Sequence, residues 1–284
     1  MTRIKVGEAM PELPEVRTVA NELNKILPGL RIVSGENFMP KLIWRNKESD
    51  FFDKVLDQKI ISVQNYGKYL IFNLENFKMI SHLRMEGKWS VSSKDKYVYN
   101  EKHLRIEFEL SNNQWLRYYD SRKFGTLEVW DNKSYLKESG ISKLGPEPLN
   151  NNPSFEYLKK AAIKKNVKVK PFLLDQKVVC GIGNIYVNEI LFAAKVAPDR
   201  ITKTLDDKEI KNIIKFSNLI LTKAIELKGS SIHSYKSGEN VEGQFQNELK
   251  VHLRENKPCF ECKKPIIKTQ IGGRGTYFCV ECQK

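Results

Sequence analysis

The sequence has no apolar run long enough to span a membrane. Nor does it open on a secretory leader, because the first ten residues carry Arg3, Lys5 and Glu8 and no apolar core. Cysteine is scarce, with five in 284 residues. Without an export signal the expected compartment is a reducing cytoplasm, so the cysteines are expected as thiols or metal ligands and not as disulfides. No internal repeat of fixed period is present. A glycine-rich stretch, Gly181-Ile182-Gly183-Asn184, lacks the Gly-Lys-Ser/Thr of a P-loop and follows no convincing βαβ strand. A nucleotide cofactor is therefore not expected.

Acidic residues are also in deficit, 34 against 48 Lys and Arg, for a formal charge of +14. Such a surplus favours a polyanionic partner, most simply nucleic acid. A solvated, lysine-rich surface is the competing reading. Hydrophobic residues make up 40% of the chain, enough for a real core in one large or two ordinary domains.

Val16, Val19, Ala20, Leu23 and Leu27 recur at helical spacing, and Pro28-Gly29 stops that helix. From Arg31 to Trp130 the pattern changes to short β runs: 59–63, 69–74, 104–110, 115–119 and 126–130. The alternation in Leu104-Arg105-Ile106-Glu107-Phe108-Glu109-Leu110 predicts a half-buried antiparallel sheet or sandwich. The Pro- and Asn-rich segment 145–153 reads as a linker. Beyond it the chain turns helical. Asp206 and Glu209 make a capping box ahead of Ile210, Ile213, Ile214, Ile220 and Leu221, in a helix ending near Gly229. Residues 229–244, rich in Gly and Ser, read as a mobile loop.

The last forty or so residues carry the most specific motif. Cys259-x-x-Cys262 and Cys279-x-x-Cys282 are separated by sixteen residues, the spacing of a closed tetrahedral zinc site. Four thiolates leave no open position, so one structural Zn2+ is expected. Cys180 stands alone and reads as a small apolar side chain. Between the pairs, Gly272-Gly273-Arg274-Gly275 presents a guanidinium on a tight turn, suited to bidentate phosphate contact or simply to solvent.

Several weaker motifs point the same way. Pro11-Glu12-Leu13-Pro14-Glu15 is an ordinary helix entry. It also holds a proline that, as a chain terminus, would be a secondary amine able to attack a sugar carbon. Lys68 lies between two β runs, where a solvated turn lysine is the plain alternative. Met85, in His82-Leu83-Arg84-Met85-Glu86-Gly87, is placed at a turn from which it can wedge between bases. Arg122, Lys123 and Phe124 set two cations beside an aromatic at a hairpin tip, which can reach and stack on base edges. His103 reads as a strand-start histidine or a phosphate contact. Asn184 and its neighbouring backbone N–H groups can hold a phosphate at a helix N-terminus.

In this order, from about Met10 to Lys284, these segments resemble the formamidopyrimidine-DNA glycosylase family. The resemblance implies an α+β fold: an N-terminal helix with an antiparallel β-sandwich (10–140), a helix–two-turn–helix domain (150–245) centred on Lys177 to Glu189, and a C-terminal zinc finger (246–284). It implies base-excision repair, with excision of oxidised purines and cleavage of the resulting abasic site. By the same resemblance Pro11 is the Schiff-base nucleophile, Glu12 the neighbouring acid and Lys68 the lysine of β-elimination. Arg274 is the finger arginine of phosphate binding and δ-elimination. Met85, Arg122 and Phe124 fill the gap left by the everted base. His103, Lys123, Lys170, Lys177 and Asn184 fall at DNA-contact positions, and residues 229–244 match the loop over the everted base. Ser121 stands where the family often has Pro. The implied partner is double-stranded DNA with oxidised bases or abasic sites, bound by a monomer without a membrane.

Two other readings compete. An endonuclease VIII-like glycosylase for oxidised pyrimidines is disfavoured by Leu13, where that branch tends to have Gly, and by the Met85 wedge. A non-catalytic zinc-dependent DNA-binding protein gains weight if residues 1–9 are retained, since Pro11 is then an amide. The expectation is that translation begins at Met10, that the methionine is removed, and that residues 1–9 are a non-native extension.

Overall fold

The computed structural model describes residues 10–230 and 243–284, so the extension 1–9 and most of the 229–244 loop lie outside the described residues. Two compact units emerge: residues 10–142 with 228–230 and Gly243, and residues 143–227 with 244–284. No helix among the described residues is long and apolar enough to cross a membrane.

The first unit is a β-sandwich with a helix on it. Helix α1 (Leu13–Ile26) takes Pro14 in its first turn, where a missing N–H costs nothing. It lays Val16, Val19, Ala20 and Leu23 into the core and packs on strands β2 (Ile60–Tyr66) and β3 (Tyr69–Leu74). Burying a side chain such as Leu23 completely stabilises by about 2 kcal/mol. One sheet has the order β2-β3-β4-β8, with β4 Phe77–His82 and β8 Thr126–Asp131. The other has the order β1-β6-β7-β5, with β1 Ile32–Asn37, β5 Lys88–Ser93, β6 Leu104–Leu110 and β7 Gln114–Tyr119. All pairings are antiparallel. Trp89, Phe72, Phe108 and Tyr118 meet in an aromatic centre between the sheets. Short helices α2 (Glu48–Val55) and α3 (Tyr135–Glu138) lie outside them.

The pairing has a topological consequence. Strand β4 runs into β5, and β7 into β8, and each pair belongs to different sheets. Because β4 pairs with β8 and β5 with β7, the crossovers 83–87 and 120–125 come out side by side at one end of the sandwich.

The second unit is helical, with helices α4 (Phe155–Lys164), α5 (Val169–Leu174), α6 (Asn184–Ala194) and α7 (Asp207–Glu226). Ser154 caps α4, its hydroxyl accepting the Tyr157 N–H at 3.2 Å. The Asp206–Glu209 box at the start of α7 closes reciprocally at 2.8 and 2.9 Å. Helix α6 is buried on nearly every side. Hairpin β9 (Ile267–Ile271) and β10 (Arg274–Phe278) turns through Gly272 and Gly273, both at positive φ, which suits a two-residue turn between twisted strands. The cysteine-bearing stretch shares this unit with the helices because polar side chains of α5 and α6 hold it, as described below.

Candidate active site and nucleic-acid interface

In the first unit, Pro11 and Glu12 lie just ahead of α1, and both are buried. Glu12 is the N-cap residue and Glu15 the third helical residue. The Glu12 N–H donates to the Glu15 carboxylate at 3.0 Å, and the Glu12 carboxylate receives the Glu15 N–H. The helix is thus capped by the residue that follows the candidate nucleophile. Glu15 also accepts the Ser230 N–H at 2.8 Å and the Ser230 hydroxyl at 3.2 Å. Gly229 sits at φ +80°, and a Cβ there would fall 2.5 Å from the Glu15 carboxylate.

Lys68 is half-buried in the β2–β3 turn. That turn is built by Gly67 at φ 55° and by Asn65, which donates to the Gly67 carbonyl at 3.1 Å. Arg17 of α1 reaches the Asn65 side chain, joining the turn to the helix.

Met85 is half-buried in the 83–87 crossover. His82 shapes the start of that turn. Its Nδ1 accepts the Arg84 N–H at 3.0 Å, and Arg84 adopts φ 54°. Arg122, Lys123 and Phe124 are exposed at the 120–125 crossover, with the Arg122 guanidinium 5.1 Å from the centre of the Phe124 ring. His103 is half-buried and gives its carbonyl to the Asp120 N–H at 2.8 Å.

In the second unit, the four cysteine sulfurs lie within 4.8 Å of one another. Cys259 and Cys282 approach to 3.9 Å, and Cys262 and Cys279 to 3.4 Å. A tetrahedron with zinc–sulfur bonds of about 2.3 Å has sulfurs about 3.8 Å apart, so the four thiols fit such an ion. Arg274 is exposed at the start of β10, and Lys177 is exposed in the turn between α5 and α6.

Lys170 departs from expectation. It is fully buried, and its ammonium donates to the Gly275 carbonyl and the Thr276 hydroxyl at 2.8 Å and to Asn188 at 3.1 Å. Lys170 was read as a DNA-contact position; in this structure its donors fasten the finger hairpin. Asn184, at the first position of α6, shares that task, donating to the Gly275 carbonyl at 3.1 Å. Glu189 completes the fastening. Its buried carboxylate accepts the N–H groups of Lys250, Val251 and His252 at 2.8 to 3.0 Å.

The family model for the formamidopyrimidine-DNA glycosylase N-terminal domain matches residues 10–127, and that for the family's H2TH domain matches 144–236. The chain belongs to the formamidopyrimidine-DNA glycosylase family. It is 41% identical over 275 residues to a Listeria monocytogenes formamidopyrimidine-DNA glycosylase, covering 97% of this chain and 100% of that one. A Ureaplasma parvum formamidopyrimidine-DNA glycosylase is 42% identical, with 96% and 100% covered. Among solved structures, Lactococcus lactis Fpg in complex with abasic-site DNA superposes with a TM-score of 0.88 at 37% identity, covering 96% of this chain and 99% of that one. The same enzyme with DNA containing Fapy-dG gives 0.88 and 37%, with 96% and 100% covered.

Against this family background, three residues were missed by sequence reasoning. The Glu12-x-x-Glu15 spacing before an apolar run was the available sign of the capping box. Asp120, ahead of a tight polar loop, was the sign of an acceptor for turn N–H groups. His82 offered no sign, since only the fold brings its ring under the Arg84 amide.

His82 also makes a pH prediction. Burial, then the charges of Arg84 and Lys68, push its pKa down to about 3. The ring is neutral when folded and titrates near 6.5 when unfolded, so its contribution is complete above about pH 6.5. It disappears as pH falls from there through 3, a loss on the order of 4 kcal/mol. Melting temperatures across pH 7 to 3 should fall steeply for the native protein and less steeply for His82→Asn. Parallel curves would assign the acid sensitivity elsewhere.

Proposed function

We infer that this chain is a bifunctional DNA glycosylase of base-excision repair, removing oxidised purines from duplex DNA and then cutting the abasic site. The observation that carries the reading is Pro11-Glu12 buried at the entry to α1, with Glu12 as its N-cap, in a chain that aligns with a family member over 97% of its length. A damaged base inside a duplex is out of reach, so it must leave the stack. Met85, Arg122 and Phe124 lie on the two neighbouring crossovers and are proposed to fill the gap and offset the unstacking. Exposed Arg122, Lys123, Lys177 and Arg274, together with His103, are proposed to hold phosphates and orphaned base edges.

In the chemical step proposed, the Pro11 amine attacks C1′ while the glycosidic bond breaks, and Glu12 assists the proton transfer to the departing base and the sugar. The resulting iminium makes the C2′ proton acidic. Lys68 is proposed to remove that proton, expelling the 3′ phosphate, and a second elimination, linked to Arg274, expels the 5′ phosphate. Cys259, Cys262, Cys279 and Cys282 are proposed to hold one structural zinc ion, which keeps Arg274 presented. The proposed compartment is the bacterial cytoplasm.

The test is a panel of duplexes carrying oxidised purines or oxidised pyrimidines, with binding measured against salt. Excision should favour 8-oxoguanine and formamidopyrimidines, and affinity should fall steeply with salt as condensed counterions are released. Replacing Lys177 or Arg274 by Ala should lower the salt slope by about one each. Preference for oxidised pyrimidines would move the chain to the endonuclease VIII-like branch, and salt-insensitive affinity would refute the phosphate contacts.

A further inference from the structure

The gap-filling residues proposed above sit on two separate crossovers, and something must hold these at a fixed separation. Strand β7 and the residue just after it supply two such groups: one meets both crossovers and the other fixes the second. Tyr118, the fifth residue of β7, is fully buried and pairs with Trp89 of β5. Its hydroxyl oxygen projects between the crossovers. A Cβ built on Gly87, at the end of the Met85 turn, would lie 2.1 Å from that oxygen. A Cβ on Gly125, at the end of the Phe124 turn, would lie 1.8 Å from it. Neither position has room for a side chain, because the same oxygen occupies both places. That hydroxyl has no hydrogen-bond partner among the described residues, so its evident role is spacing.

Two residues on, Asp120 fixes the shape of the second crossover. Its buried carboxylate accepts three backbone N–H groups: Arg122 on one oxygen at 2.9 Å, and Phe124 and Gly125 on the other at 2.8 Å each. The Asp120 backbone is itself held, its carbonyl by Arg105 Nε at 2.8 Å and its N–H by the His103 carbonyl at 2.8 Å. A carboxylate that satisfies three turn amides leaves the backbone of 122–125 one arrangement.

We propose that Tyr118 and Asp120 are positioning residues that set the Met85 turn and the Arg122–Phe124 tip against each other before DNA arrives, so that the three side chains enter the duplex as one preassembled wedge. Neither residue touches the reacting atoms. Both act through Met85, Arg122 and Phe124, and the proposal rests on the reading of those three as gap fillers. Preorganisation of this kind removes an ordering cost from each encounter with a lesion.

The test uses two readouts on the full chain processed to Pro11. One is single-turnover excision of 8-oxoguanine opposite cytosine. The other is the fluorescence of 2-aminopurine placed opposite a non-cleavable abasic analogue, which reports wedge insertion without chemistry. Met85→Ala and Phe124→Ala test the gap-filling reading by itself. If both match the native protein, that reading fails and the proposal falls with it.

Asn at position 120 offers one acceptor oxygen where Asp offers two. Asp120→Asn is expected to cut excision about tenfold and to lose most of the fluorescence change. The double variant Asp120→Asn/Phe124→Ala should fall within about threefold of Phe124→Ala alone, because the two act through one element. Melting temperatures identify a variant that fails to fold. In that case Tyr118→Phe decides, since it removes one unpaired oxygen and should melt near the native protein while losing part of the fluorescence change. The proposal is overturned if the position-120 or position-118 variants give full fluorescence change while Met85→Ala and Phe124→Ala are impaired. It is also overturned if the double-variant losses simply multiply.

Discussion

Protein processed to begin at Pro11 is expected to form a borohydride-trappable adduct with duplex DNA carrying 8-oxoguanine, and protein retaining residues 1–10 is expected to form none. The nitrogen of an interior proline is a tertiary amide, with its lone pair delocalised into the preceding carbonyl. It can neither attack C1′ nor form an iminium. The nitrogen of a terminal proline is a secondary amine and can do both. The difference is one of chemical competence, so trapping should be all or none. Glu12 and Glu15 form their reciprocal cap without using the Pro11 nitrogen, so processing leaves the helix entry in place. Gel analysis of the trapped adduct and intact mass of the input protein measure both sides. Equal trapping by the extended form would remove Pro11 from the role of nucleophile.

The second large effect concerns metal. Freshly purified protein should contain one zinc per chain, and Cys259→Ser should lose it together with roughly a hundredfold of DNA affinity, the loss of one or two charge-assisted phosphate contacts. Binding by four thiolates is worth on the order of 10 kcal/mol in isolated fingers, comparable to the whole stability of an ordinary domain. Here the finger has other anchors, since Lys170 and Asn184 hold the Gly275 carbonyl of the hairpin and Glu189 holds the N–H groups of Lys250, Val251 and His252 ahead of the first cysteine pair. Loss of zinc should therefore disorder the cysteine-bearing turns and free Arg274 while α6 and α7 persist. Elemental analysis, circular dichroism and salt-dependent binding separate these effects. Metal-free native protein, or a Cys259→Ser variant with native affinity, would defeat the expectation.

The sequence was most legible where a single physical pattern acted alone. β3 and β6 were read at their observed limits and the α7 capping box at its two residues, because alternation and capping are local. Strands β4 and β5 were not read. Ser81 points into the sandwich, where its hydroxyl accepts the Trp89 indole N–H at 3.1 Å, and Ser90 and Ser92 are buried on the opposite face of β5 from Trp89 and Val91, so buried positions in both strands carry hydroxyls where apolar residues would have marked them. Cysteine spacing announced the four-thiol cluster, since two Cys-x-x-Cys turns are also a local pattern. Lys170 was placed among the DNA contacts by resemblance alone, and nothing in its sequence surroundings signals burial. Only the fold reveals that its ammonium ends among a carbonyl, a hydroxyl and an amide. The groups that shape the candidate site without facing DNA, such as Asp120 and His82, depend on contacts made across turns. Periodicity carries no trace of these.

The shared oxygen of Tyr118 ties together the lengths of two segments that are far apart in the chain. A residue added to either the 83–87 or the 120–125 crossover would shift Gly87 or Gly125 away from its place against the hydroxyl, where no side chain fits, and would bring a bulkier neighbour onto that oxygen. Insertions and deletions in these two turns are therefore constrained jointly. A change in one is accommodated only by a matching change in the other or by a smaller residue at position 118.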